Sequence, residues 1–267
     1  MVTVSAFEDG FTALRANPVL FVTGLVVGIG SQLQYADQLI ESSLLSAVVS
    51  LAWLIAFPFV LGGFIGTARA AIDGGDPSLA HFFGTARTHY VRLLLGTVVF
   101  VLLVFGTAVG FALVGFVLGV ASAALVAVHE TAALAMGAVS LLVWLAGVLG
   151  VVTFVQFYEA AIVIEHRSVV ESFQRSVELV RSNLGSVVGF SLVWLVSFNA
   201  VLLPEYLLQA TLTDAGPADV VPIEIPTRVL LPVGVALSAV GFAYLYAVYT
   251  AYYLRLIAIS STTPEST

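Results

Sequence analysis

One carboxylate in this 267-residue sequence lies inside an apolar run. Glu159 sits in Val155-Gln156-Phe157-Tyr158-Glu159-Ala160-Ala161-Ile162-Val163-Ile164, about a turn or more inside the boundary of a hydrophobic helix. Ionisable groups in such places face protein or water and often mark a pathway. With Gln156, Tyr158 and Tyr249, the carboxylate could bind a ligand or accept a proton. The plainer reading is an ion pair with Arg69 or Arg255, which occupy corresponding ends of other apolar segments. We prefer that pairing, because charges near helix ends can also reach the interface.

The remaining candidates for chemistry are sparse. His81, His89, His129 and His166 are scattered and lack a His-Glu-x-x-His arrangement, so no metal site is expected. Cysteine is absent, which excludes thiolate catalysis and disulfides. No Gly-x-Ser-x-Gly elbow or Gly-Lys-Ser/Thr phosphate loop occurs, and no cofactor or enzymatic activity is expected. Tyr244, Tyr246, Tyr249, Tyr252 and Tyr253 crowd one apolar segment and fit packing or an aromatic belt. Arg87, Arg92, Arg175 and Arg181 could meet anionic lipid headgroups.

The elements that would position these residues belong to a membrane. The chain is 60% hydrophobic and 9% charged, with a mean hydropathy of +1.08. An ordinary soluble domain is about 25% charged. Several apolar stretches exceed the roughly 18 residues that mark a membrane helix. No cleavable signal peptide is expected, since Glu8, Asp9 and Arg15 precede the first apolar run. Net charge is −7, all nine basic residues are arginine, and this balance disfavours nucleic acid. An acidic, lysine-free chain fits an extreme halophile, although a high-GC genome gives the same bias.

Three segments share one plan. Val4, Phe7, Phe11 and Leu14 form an apolar stripe at helical spacing, as do Leu79, Phe83, Ala86 and Tyr90, and Val170, Phe173, Val177 and Val180. Ser5-x-x-Glu8 and Ser168-x-x-Glu171 match capping boxes, and Asp76-Pro77 places a cap residue before proline. Phe7, Arg15 and Asn17 recur at one offset as Phe173, Arg181 and Asn183. The expected fold is therefore all-α and integral to the membrane: one polytopic domain over 1–260 with a short polar tail at 261–267. Its repeat units cover about 4–72, 76–166 and 168–259, each an amphipathic interfacial helix followed by a transmembrane hairpin. The six crossings fall near 18–36, 43–70, 92–126, 132–164, 184–203 and 229–258. Eight arginines lie on the side bearing both termini and only Arg228 on the other, which predicts a cytoplasmic N- and C-terminus in the cell membrane. The largest outer loop, Pro204 to Arg228, is expected to be irregular.

The run Ile164-Glu165-His166-Arg167-Ser168-Val169-Val170-Glu171-Ser172-Phe173-Gln174-Arg175-Ser176, continuing to Leu179, Arg181 and Asn183, resembles a superfamily of polytopic membrane proteins. That superfamily includes the membrane domain accompanying some glycerophosphodiester phosphodiesterases, and stand-alone bacterial and haloarchaeal relatives. The resemblance implies a membrane scaffold, with Glu165, Arg167, Ser172, Arg175 and Ser176 at a structural junction. It implies no phosphodiesterase activity, which in that family resides in a separate soluble barrel. The leading expectation is a non-enzymatic multi-pass protein that binds membrane lipids or a membrane partner, including a second copy of itself. A small-solute transporter using Glu159 is the alternative, and an intramembrane lipid-modifying enzyme ranks third.

Overall fold

The computed structural model describes residues 2–32, 42–126, 129–212 and 227–262, and within them every regular element is a helix. In chain order these are α1 (Val2–Ala16), α2 (Val19–Gln32), α3 (Ser43–Ile72), α4 (Leu79–Val126), α5 (Glu130–Val155), α6 (Tyr158–Ile164), α7 (Val169–Ser182), α8 (Leu184–Leu212) and α9 (Thr227–Thr262). Five stretches are long and apolar enough to cross a membrane, with α5 and α6 together counting as one. A sixth arises if α1 and α2, bent by 102° at Asn17-Pro18, are taken as a pair. The chain is an all-helical protein of membrane character.

The breaks follow local chemistry. At Asn17 the side-chain Nδ2 turns back to donate to Ala13 O (2.8 Å), and Asn183 Nδ2 does the same to Leu179 O (3.1 Å). At Asn183 the side chain occupies a carbonyl that the helix leaves without a backbone partner, whereas Ala13 O also accepts from the Asn17 backbone N–H. The second segment has neither asparagine nor proline at that place, and α4 runs unbroken for 48 residues, about 70 Å at 1.5 Å per residue. The expected separation between an interfacial helix and a crossing from 92 is therefore absent there. Caps differ as well. Ser168 and Glu171 form the expected capping box, but Ser5 lies inside α1, and Ser78 rather than Asp76 caps α4 by accepting from His81 N (3.2 Å). Helix α8 continues through Pro204 to Leu212, where a loop was expected. The rest of that loop up to 226 lies outside the described residues.

The predicted apolar stripes prove to be rotated. In α1 the buried residues are Ala6, Gly10, Ala13 and Leu14, whereas Val4 and Phe11 point outward. In α7 they are Ser172, Ser176, Leu179 and Val180, at the same positions one for one, with Val170 exposed. The start of α4 buries Phe82, Ala86 and His89 at that spacing and exposes Leu79 and Phe83. Small residues make up part of each inward face, beside Leu14, Phe82, Leu179 and Val180, while Val4, Phe11 and Val170 face out; small residues let helices approach closely in lipid. Each of these faces packs on the end of a returning helix. Gly10 backs onto Val248 of α9, Gly63 and Gly66 of α3 back onto Phe82 and Thr85, and Ser176 meets Phe154.

Helix α9 occupies the centre, burying Ala243, Ala247, Val248, Ala251 and Tyr252. Helices α4 and α5 form a hairpin at the edge, held by Trp144 Nε1 donating to Ala108 O (3.0 Å) and Ser122 Oγ donating to Ala133 O (2.7 Å). Leu102, Phe105, Phe116, Leu134 and Leu141 on this hairpin are exposed. Close approach depends on glycine at selected points. A Cβ at Gly24 would lie 2.3 Å from Ala239 O and 2.7 Å from Ala243 Cβ, while one at Gly110 would meet nothing within 4 Å. Gly24→Ala should therefore destabilise the protein by roughly 1–3 kcal/mol. Gly110→Ala should be neutral or stabilising by up to about 1 kcal/mol. Thermal unfolding of the purified variants measures both.

Candidate functional site

The span containing Glu159 is broken at Gln156-Phe157, between α5 and α6. A break in an apolar medium frees backbone groups that must find other partners. Ser176 on α7 supplies two of them: its hydroxyl donates to Phe154 O (2.8 Å) and accepts from Phe157 N (3.0 Å). The Tyr249 hydroxyl on α9 donates to Gln156 O (2.7 Å). The Gln156 side chain is tied to α8, with Nε2 donating to Ser191 Oγ (2.9 Å) and Oε1 accepting from it (3.2 Å). Three neighbouring helices thus converge on one turn. Gln156 and Tyr249 act here as structural ties.

Glu159 begins the next turn, with Tyr158, Tyr246 and Tyr249 near enough to interact electrostatically with its carboxylate. Tyr158 also bonds Thr97 on α4 (3.3 Å) and stacks on Phe173 at 4.8 Å. The expected ion pair of Glu159 with Arg69 or Arg255 does not form. Arg69 Nε faces Asp73 at 3.4 Å and its Nη1 donates to Ile164 O (2.9 Å), while Arg255 Nε pairs with Asp9 at 2.7 Å. The two arginines are claimed by nearer acids, Asp73 one turn away on the same helix and Asp9 on α1. Of the six residues expected to cluster, the structure brings together Glu159, Gln156, Tyr158 and Tyr249, and places both arginines elsewhere.

A second polar group forms at the α6–α7 junction. Helix α6 ends at Ile164, and two residues on His166 adopts a left-handed conformation (φ 57°), one that histidine visits more readily than most residues. Glu165 then accepts from Arg167 Nε (2.9 Å), Arg175 Nε (3.2 Å) and the Tyr253 hydroxyl. Arg175 extends the network to Glu178 (3.1 Å) and Ser260 (3.4 Å). The residues quoted above as a junction therefore link α7 to α9.

With that geometry in hand, the comparison with known families is direct: a family model described as a domain of unknown function (DUF7847) matches residues 1–256. The chain belongs to the DUF7847 family. No curated protein and no solved structure matches it.

The four arginines expected at headgroups divide within this DUF7847 chain. Arg175 is only 17% exposed and is consumed by Glu165 and Glu178, so it is a structural residue. Arg92 is exposed, with Nη1 donating to His166 O (3.0 Å). Arg87 is exposed too. Arg181 is exposed and lines a cavity of about 760 Å³ with Leu103, Val155, Phe173, Val177 and Gln174. Ser191, Asp9 and Glu178 had no sequence signal, because each is polar on a helix whose azimuth a single sequence does not reveal. Among the described residues no three His, Asp or Glu side chains are placed to hold a metal.

Burial pushes the Glu165 carboxyl up, but the Tyr253 hydroxyl, Arg167 and Arg175 outweigh that and hold it below the usual carboxylate range. A depressed carboxylate contributes stability that is present above its ordinary value and is lost as pH falls through the lowered one. Wild-type protein should therefore lose stability below about pH 4.3 more steeply than Glu165→Gln. Arg175→Met, which removes one of the carboxylate's two guanidinium partners and leaves it to Arg167 and Tyr253, should cost up to about 3 kcal/mol at neutral pH. Urea or thermal titrations across pH 3–7 would test both, and parallel pH curves for wild type and Glu165→Gln would contradict this account.

Proposed function

We propose that this chain is a non-enzymatic multi-pass membrane protein that binds an anionic membrane lipid in the groove between the α4–α5 hairpin and α7. The observation that carries this reading is the 760 Å³ cavity, in which Leu103, Val155, Phe173 and Val177 offer an apolar wall and Arg181, Gln174 and Ser182 a polar rim. An acyl chain against such a wall and a phosphate at the guanidinium match the two halves of a lipid. Leu103 of the groove has exposed apolar neighbours on α4 in Leu102 and Phe105. Glu178 at the rim is already engaged by Arg175, which leaves Arg181 to meet the headgroup.

The proposal includes six crossings in three units, with both termini and the groove's polar rim cytoplasmic. The recurring buried positions of α1, α4 and α7 and the eight-to-one division of arginines support it. It also retains the kinship with the membrane domains of glycerophosphodiester phosphodiesterases, and a haloarchaeal source, as readings of motif and composition. Labelling of an Asp76→Cys variant by an impermeant thiol reagent in intact cells would contradict the orientation. A membrane-protein partner or second copy would find its surface on the exposed hairpin. The transporter alternative requires Glu159 to line a cavity, and the groove of Arg181 does not include it.

Native mass spectrometry of gently extracted protein tests the lipid assignment. Wild type should retain an anionic phospholipid. Arg181→Gln should lower its occupancy by roughly tenfold, as losing a hydrogen bond to a charged group does, and Val177→Trp should exclude the lipid by filling the groove. Equal retention by all three proteins would overturn the assignment.

A further inference from the structure

A separate cavity of about 510 Å³ lies where α3 ends and α4 begins, bounded on its third side by the turn at His166. Arg69, Asp73, His81, Thr85, His89 and His166 are among its lining residues, and none of them borders the groove of Arg181. Two features mark it as more than a gap between helices. The His89 side chain is buried, with the residue only 3% exposed, yet its Nδ1 has no hydrogen-bond partner. Buried polar atoms are almost always satisfied, and an exception calls for an explanation. Arg69 has committed its Nε side to Asp73 and its Nη1 to Ile164 O, which leaves the second terminal nitrogen of its fork for a ligand.

The donor set decides the class of ligand. A guanidinium, imidazoles and a threonine hydroxyl supply N–H and O–H groups, a neutral imidazole donating from one of its two nitrogens. The three histidines do not converge on a metal position. Asp73 is the one carboxylate in the lining; its side chain is 55% exposed and paired to Arg69, so it sits toward solvent. The His89 ring is held in place by stacking on His166 at 5.0 Å, and His166 is itself anchored by Arg92 through its carbonyl. Space is available, since a Cβ at Gly84 on the cavity wall would meet nothing within 4 Å. Fixed forked donors around an open space suit a tetrahedral oxyanion.

We propose that this cavity binds a phosphate group through His89 and Arg69, carried either by a lipid headgroup or by a soluble phosphate. The site goes beyond the lipid groove and does not depend on it. The experiment uses full-length protein in maltoside micelles, which contain no phosphate, at constant ionic strength set by chloride. In one arm inorganic phosphate is titrated and the melting temperature followed. In the other, micelles are doped with phosphatidylglycerol or with diacylglycerol of the same chains, in an Arg181→Gln background so that the groove does not contribute. Phosphate or phosphatidylglycerol should raise the melting temperature where chloride or diacylglycerol does not, and the arm that responds identifies the source. His89→Phe keeps an aromatic ring for the stack on His166 and replaces the imidazole nitrogens with carbon in a slightly larger ring, so it should fold and weaken the response at least about tenfold. Asp73→Asn should strengthen the response. No response in either arm, or an equal response in His89→Phe, would overturn the proposal.

Discussion

A broken helix in an apolar setting is tolerable only if its freed backbone groups are satisfied, and the arrangement of this protein follows from that requirement at Gln156-Phe157. The Ser176 hydroxyl serves a carbonyl on one side of the break and an amide on the other, and the Tyr249 hydroxyl takes the carbonyl between them. Ser176 brings α7 to the break, Tyr249 brings α9, and the Gln156–Ser191 pair brings α8. The turn that Glu159 begins, the Glu165 network beyond it and the groove beside Val155 all inherit their positions from these ties.

The fold class was readable because composition alone requires a nonaqueous solvent, and because caps and apolar lengths are local properties. The Ser168–Glu171 box is of this kind. What misled was the rule for which face turns inward. In water Val4, Phe11 and Val170 would mark the core. In lipid the core face of α1 and α7 begins instead with Ala6, Gly10, Ser172 and Ser176 and is completed by Leu14, Leu179 and Val180, while Val4, Phe11 and Val170 look outward. The spacing holds and Leu14, Ala86 and Val180 of the expected stripes are buried, but the face is turned so that Val4, Phe11, Leu79, Phe83 and Val170 leave it, since periodicity fixes a helix's faces but not which one the protein keeps.

The candidate site was legible in part for a related reason. Glu159, Gln156, Tyr158 and Tyr249 do gather, because the first three share adjacent turns and α9 carries the fourth past them. The arginines do not join them, because charge pairing depends on depth and direction along helices: Asp73 is a turn from Arg69, and Asp9 arrives with α1. A further consequence concerns His89. It occupies, in α4, the buried position held by Ala13 in α1 and Leu179 in α7, so a polar ring stands where the other two units place an apolar side chain. That substitution in the pattern is what opens the cavity beside Arg69 to a polar ligand.

Amide hydrogen exchange of the protein in a lipid bilayer, comparing wild type with Ser176→Ala, tests the central tie most directly. If the Ser176 hydroxyl holds the break, its removal exposes the Phe157 amide, and protection should fall together across α6 and α7 while the distant α4–α5 hairpin tip stays unchanged. Protection of residues 154–182 identical to wild type would contradict the account, for the freed backbone groups would then be satisfied without α7.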